Sequence, residues 1–162
     1  MNIKGLKDED FINYKKPSMF VGFPHCSWKC EKECGQQVCQ NSALADTESK
    51  NIGIKTLLNR YINNPITSAI VFGGLEPFDD WDDLYQLVSY FRVVTQDDIV
   101  IYTGYYKKEI EEYIDKLNTF QNIIIKYGRY IPGHKKHYDD VLGVYLASDN
   151  QYAERLNKIN VE

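Results

Sequence analysis

The chain has 162 residues, with 23 Asp and Glu against 19 Lys and Arg, for a formal net charge of −4 at neutral pH. That length carries one domain with a real core rather than two, and the charge gives no general attraction to nucleic acid, which usually meets a basic surface. No run is long and apolar enough to span a bilayer, and the charged start, Met1 to Asp10, lacks a signal-peptide core. The expected compartment is the cytoplasm, where thiols stay reduced.

Ser18 to Phe23 is a short apolar run and reads as the first strand. Directly after it come all four cysteines of the chain, Cys26, Cys30, Cys34 and Cys39, spaced C-x3-C-x3-C-x4-C. So many soft ligands in one short segment point to a metal or an iron–sulfur cluster. Zinc sites usually grip the ion through C-x2-C pairs, and none is present. On spacing alone, zinc and iron–sulfur stand about even, and a disulfide knot comes third. If three thiolates bind a 4Fe–4S cube, one iron keeps open positions for a substrate.

Ile54, Leu57, Leu58, Tyr61 and Ile62 follow the spacing of a single helix face. Thr67 to Phe72 is the next predicted strand, ending at Gly73-Gly74. A helix with Trp81, Leu84, Tyr85, Val88 and Phe91 on one face follows, with Asp79 or Asp80 as its cap. Asp98 to Tyr102 predicts a strand ending at Thr103-Gly104. Ile110, Tyr113, Ile114 and Leu117 predict a helix, and Asn122 to Tyr127 predicts another strand. Gly128 to Asp140 reads as an irregular stretch, and His134 and His137, beside Lys135 and Lys136, read as solvated surface. Val141 to Leu146 predicts a strand. Ser148 with Gln151 three residues on forms a capping box for a final helix bearing Tyr152, Leu156 and Ile159, whose start also suits an anionic group.

Alternating strands and helices with short connections predict βαβ units in a mainly parallel sheet. The cysteine loop, Gly73-Gly74 and Thr103-Gly104 then fall at the carboxyl ends of three strands, the edge at which such sheets bind ligands.

Phe23-Pro24-His25-Cys26-Ser27-Trp28-Lys29-Cys30 resembles the start of the C-x3-C-x2-C signature of the radical S-adenosylmethionine superfamily. Glu33 stands at that signature's third cysteine, so the third ligand is Cys34 or Cys39. Cys39-Gln40-Asn41 is similar to the C-x-N close of the glycyl-radical-activating branch and favours Cys39. Gly73-Gly74-Leu75-Glu76-Pro77 resembles the superfamily's GGEP element with one leucine inserted. Tyr102-Thr103-Gly104-Tyr105 and Ser148-Asp149-Asn150-Gln151 resemble elements of the activating proteins of anaerobic ribonucleotide reductase. Tyr127 replaces an aspartate of theirs, and Asn13 to Pro17 stands where their Gly-Pro-Gly segment lies.

This resemblance implies one α/β domain over residues 1–162, an incomplete (β/α) barrel with a curved, mainly parallel sheet. It implies a 4Fe–4S cluster on Cys26, Cys30 and Cys39 or Cys34, and S-adenosylmethionine as the second cofactor. Gly73, Gly74 and Glu76 would hold the methionyl amine, while Tyr102, Thr103, Gly104, Ser148, Asn150 and Gln151 would close around the rest. The implied activity is reductive cleavage of S-adenosylmethionine to place a glycyl radical on a partner, expected to be an anaerobic ribonucleotide reductase. A low-potential electron donor such as a flavodoxin is also implied. The alternatives are a radical enzyme acting on a peptide or small molecule, and a non-catalytic zinc-binding module.

Overall fold

A computed structural model describes residues 1–156. In chain order its elements are β1 (Asn2–Ile3), β2 (Gly5–Asp10), β3 (Ser18–Phe23), α1 (Lys29–Cys34), α2 (Ser42–Ala45), β4 (Lys50–Asn51), α3 (Ile54–Ile62) and β5 (Ala69–Gly74). A 3-10 turn (Pro77–Asp80) leads into α4 (Trp81–Val94), followed by β6 (Asp98–Tyr102), a second 3-10 turn (Lys107–Glu109) and α5 (Glu111–Leu117). The last elements are β7 (Ile123–Tyr127), β8 (His137–Asp139), β9 (Val144–Leu146) and β10 (Tyr152–Arg155).

Among the described residues the main sheet has six strands in the order β10-β7-β6-β5-β3-β2. The central four, β3, β5, β6 and β7, are parallel, and β2 and β10 flank them antiparallel. The central strands are almost continuously apolar because both of their faces are covered. From β3 to β7 each connection steps one place across the sheet in the same direction. Right-handed crossovers of that kind put α3, α4 and α5 on one face. Accordingly Leu57 and Tyr61 of α3, Leu84 and Phe91 of α4 and Leu117 of α5 pack with Met19, Ile70, Ile99 and Ile123 in one apolar cluster. Each such side chain contributes about 2 kcal/mol of burial.

The opposite face carries Val71, Val100 and Ile124. It is covered by Tyr14 from the β2–β3 loop and by Leu142 and Leu146 of the β8–β9 hairpin. Tyr102 Oη donates to the Asn13 carbonyl at 2.6 Å and Lys15 N–H to the Leu142 carbonyl at 2.8 Å, so the two covering segments are tied to the sheet and to each other. Among the described residues the sheet is open at both edges and does not close into a barrel. No helix of the described residues is long and apolar enough to cross a membrane.

Two predicted elements come out differently. No helix follows Ser148. Gln151 Oε1 accepts from Ser148 N–H at 3.2 Å, as a capping box would have it, but Tyr152–Arg155 then extends and pairs antiparallel with Ile124–Tyr127. The open edge of β7 takes up the backbone groups that a helix would have satisfied internally. Ile159 lies outside the described residues. The expected strand Val141–Leu146 shortens to β9 and pairs with β8 rather than with the main sheet.

Candidate functional site

The register aligns Gly22 with Gly73 and Phe23 with Gly74, which places the cysteine loop directly beside the β5 turn. Phe72 aligns with Ile101 and Tyr102 with Lys126, so the ends of β6 and β7 continue the same rim. A cleft opens there. Its lining includes Cys26, Cys30 and Cys39, then Gly74 and Glu76, Tyr102 to Gly104, Lys126, Gly128 and Gln151. Cys34 is not part of it: the side chain is exposed, with Sγ 3.4 Å from the Gln36 carbonyl.

The cysteine loop is shaped by short-range contacts. Trp28 adopts a left-handed backbone (φ 59°), and its N–H donates to Cys26 Sγ at 3.2 Å. Gly35 ends α1 in the left-handed region that glycine adopts freely, its N–H reaching the Glu31 carbonyl. Glu31 Oε1 accepts from Cys39 N–H at 3.2 Å, which folds the loop back on itself. Asn41 Nδ2 then donates to the Gly74 carbonyl at 2.8 Å, joining the loop to the β5 turn.

Asp79 and Asp80 do not cap α4 through their side chains. They hold the loop from below: Ser27 N–H and Tyr105 Oη both donate to Asp79, and His25 Nδ1 lies 2.7 Å from Asp80 Oδ1.

Burial pushes the Cys26 thiol up to about 11 and raises that of Cys39 as well. Such thiols keep their protons until a cationic centre displaces them. Among the described residues no three His, Cys, Asp or Glu side chains gather tightly enough for a single metal ion. Four-coordinate zinc at about 2.3 Å from each sulfur needs that tightness. A cube of iron and sulfide binds its thiolates on separate corners and accepts a wider spread.

Glu76 is buried. Desolvation lifts its carboxyl to about 7 against three opposing donors: Gly104 N–H at 2.8 Å, Thr103 Oγ1 at 2.8 Å and Phe78 N–H at 3.1 Å. Those bonds lock the β5 turn to the β6 turn. A Cβ on Gly104 would point between Cys30 Sγ and Glu76 Oε2, both 3.6 Å away, so the missing side chain leaves room beside a ligand thiol.

Lys126 belongs to none of the sequence motifs. It is 7% exposed, and burial lowers its ammonium to about 8 while the charges of Glu76 and Cys30 act the other way. Among the described residues Nζ has one hydrogen-bond partner, the Gly128 carbonyl at 3.0 Å, which leaves two of its three N–H donors for the cleft that Lys126 lines. A lone lysine in Ile-Ile-Ile-Lys-Tyr, at the carboxyl end of an otherwise apolar strand, was the available signal.

Gly74, Glu76, Tyr102, Thr103, Gly104 and Gln151 line the cleft, whereas Gly73, Ser148 and Asn150 stand behind it. Gly73 lies against the Phe20 ring. Ser148 Oγ and Asn150 Nδ2 both donate to the Arg129 carbonyl, and Gln151 Nε2 donates to that of Gly128, so this segment braces the loop after β7. His134 pairs with Asp149 away from the cleft, and His137 Nε2 lies 2.7 Å from the Gln151 carbonyl.

A family model described as a 4Fe-4S single cluster domain matches residues 18–151, from β3 to the turn before β10. The chain belongs to that family. No curated protein and no solved structure matches it. As a member of the 4Fe–4S single cluster domain family it is an iron–sulfur protein, and the donor set of the cleft suits the cluster. Three half-buried thiols face one space, glycine leaves room beside Cys30, and the walls hold an incompletely partnered ammonium.

Proposed function

We propose that this iron–sulfur protein is a radical S-adenosylmethionine enzyme that activates a glycyl radical partner. The observation that carries the reading is the division of the four cysteines: Cys26, Cys30 and Cys39 line the cleft and Cys34 turns to solvent. Three ligands on a four-iron cube leave one iron without a protein thiolate, which is the requirement for binding the amine and carboxylate of S-adenosylmethionine. Bound there, the cluster would supply the electron that splits S-adenosylmethionine into methionine and a 5′-deoxyadenosyl radical, which removes a hydrogen atom from a glycine of the partner.

This chain's own residues supply the setting. Lys126 offers a partly desolvated cation to the ligand carboxylate, stronger there than in water. The Glu76 side chain has its donors already, so it fixes the turn, and Gly74 and Leu75 line the ligand side of that turn. Tyr102 to Gly104 and Gln151 form the far wall. Helices restricted to one face of the sheet accord with an incomplete barrel. The partner is an anaerobic ribonucleotide reductase, the electron donor a low-potential protein such as a flavodoxin, and the setting an anaerobic cytoplasm.

The test is anaerobic reconstitution with iron and sulfide, chemical reduction and addition of S-adenosylmethionine. Formation of 5′-deoxyadenosine supports the radical chemistry. A glycyl radical signal by electron spin resonance after adding a candidate reductase supports the partner. Turnover without that signal assigns the protein to peptide or small-molecule substrates. A protein that binds stoichiometric zinc and takes up neither iron nor sulfide overturns the reading.

A further inference from the structure

From His25 to Thr56 not one residue is buried, and α1, which carries Cys30, has no buried side chain. Hydrophobic packing therefore does not hold this helix to the body of the protein. Ordering it costs backbone entropy, which polar contacts and the bound cluster must offset.

The polar contacts converge on Arg129, in the loop after β7, whose side chain is 3% exposed. Its guanidinium forks onto Glu109, with Nη1 to Oε2 at 2.8 Å and Nη2 to Oε1 at 2.5 Å. Its Nε lies 3.0 Å from Glu33 Oε1 of α1, an ion pair that lacks the alignment of a hydrogen bond. Lys29, one turn earlier in α1, reaches the same Glu109 at 3.5 Å and sits 4.3 Å above the Tyr105 ring. The Arg129 guanidinium rests 4.8 Å from the Tyr106 ring. Two residues of the cysteine helix thus dock on one buried cation and its carboxylate partner.

We propose that Arg129 is the positioning residue of the cysteine segment, holding α1, and through it Cys30, over the cleft by pairing with Glu33 and Glu109 together. Glu33 fills the place of the third cysteine in the tighter C-x3-C-x2-C spacing, so in this chain that position fastens the loop instead of ligating. Arg129 is suited to the task because a planar fork satisfies Glu109 with two nitrogens and keeps the third for Glu33, which a lysine cannot do. The positioning role requires a bound cluster and not S-adenosylmethionine, so it survives failure of the radical reading.

The experiment uses the full chain, reconstituted anaerobically, as wild type, E33Q, R129Q, the double variant and R129K. Cluster loss to an iron chelator is followed at low and high salt, and thermal unfolding of the apoproteins is recorded alongside. Because Glu33 is half exposed, E33Q is expected to speed cluster loss on the order of threefold to fivefold at low salt, with unchanged apoprotein unfolding. Wild type at high salt should approach E33Q, since charge pairing is screened. E33Q should add nothing to R129Q, and R129K should recover only part of the wild-type rate. Equal loss rates for wild type and E33Q at low salt, or additive effects of E33Q and R129Q, would overturn the proposal. If R129Q fails to fold, the salt dependence of wild type against E33Q decides by itself.

Discussion

Cys34 and Cys39 differ by environment, not by chemistry. Cys39 is half-buried on the cleft and Cys34 is solvent-exposed at the end of α1. C34A is expected to retain full iron and sulfide after anaerobic reconstitution, and C39A to lose the cluster, as C26A and C30A would; metal and sulfide analysis separates them. Lys126 makes a second prediction at this scale. With charge-assisted contacts worth roughly 1.5–3 kcal/mol, K126M should weaken S-adenosylmethionine binding by about ten- to a hundredfold, read by equilibrium titration of the reconstituted protein. Its iron content should stay at the wild-type level, because the ammonium touches no thiol.

At the scale of the elements, the β5 turn is the least forgiving point of the cleft. Gly74 has φ +84°, and a Cβ there would sit 2.7 Å from Gly22 Cα and 2.8 Å from Phe23 N, both backbone atoms of the neighbouring strand. Gly74→Ala should therefore lose about 3 kcal/mol in urea unfolding. Gly104→Ala, whose new methyl meets only ordinary contacts at 3.6 Å, should leave the apoprotein's unfolding midpoint almost unchanged.

The same scale separates what the sequence makes legible from what it hides. Strands β3, β5, β6 and β7 and helices α3, α4 and α5 announce themselves because burial writes a period into them: unbroken apolar runs or a helical stripe. Strand β2, Gly-Leu-Lys-Asp-Glu-Asp, carries no such pattern because it is an edge strand held by its ladder to β3. Strand β10 hides for a related reason. The turn Ser148–Gln151 forms the reciprocal bond that usually starts a helix, and only the vacant edge of β7 determines that the chain extends. Within the site, the thiols and glycines are legible as motifs. Lys126 and the Arg129 hub are not, since Arg129 draws its carboxylate partners from 20 or more positions away and Lys126 gains its role only from the cleft it shares with the thiols.

For the whole molecule, Asp98 at the amino end of β6 is the counterweight to the cleft. It accepts from Tyr14 Oη at 2.8 Å, Lys16 Nζ at 2.8 Å and Arg155 Nη1 at 2.7 Å, tying the segment over one face and the edge strand β10 to the sheet centre. Burial alone would raise its carboxyl; the Arg155, Lys16 and Tyr14 hydrogen bonds outweigh that and hold it well below the usual 3.8. A carboxyl depressed on folding contributes stability that is complete above its unfolded value and drains away as pH falls past it. D98N should cost about 2 kcal/mol at pH 7, because the part-exposed Lys16 and Arg155 lose a charged acceptor. The gap to wild type should narrow steadily below about pH 4, as followed by denaturant midpoints across an acid series.

Trp28 lies between Cys26 and Cys30, with its amide on a ligand sulfur, whereas Trp81 stacks on Tyr113 at 4.4 Å on the helical side. An iron–sulfur chromophore assembled beside Trp28 should drain its excited state more completely than that of Trp81. The chain therefore carries its own optical gauge of occupancy: in W81F, emission should fade more steeply as iron and sulfide enter than in W28F.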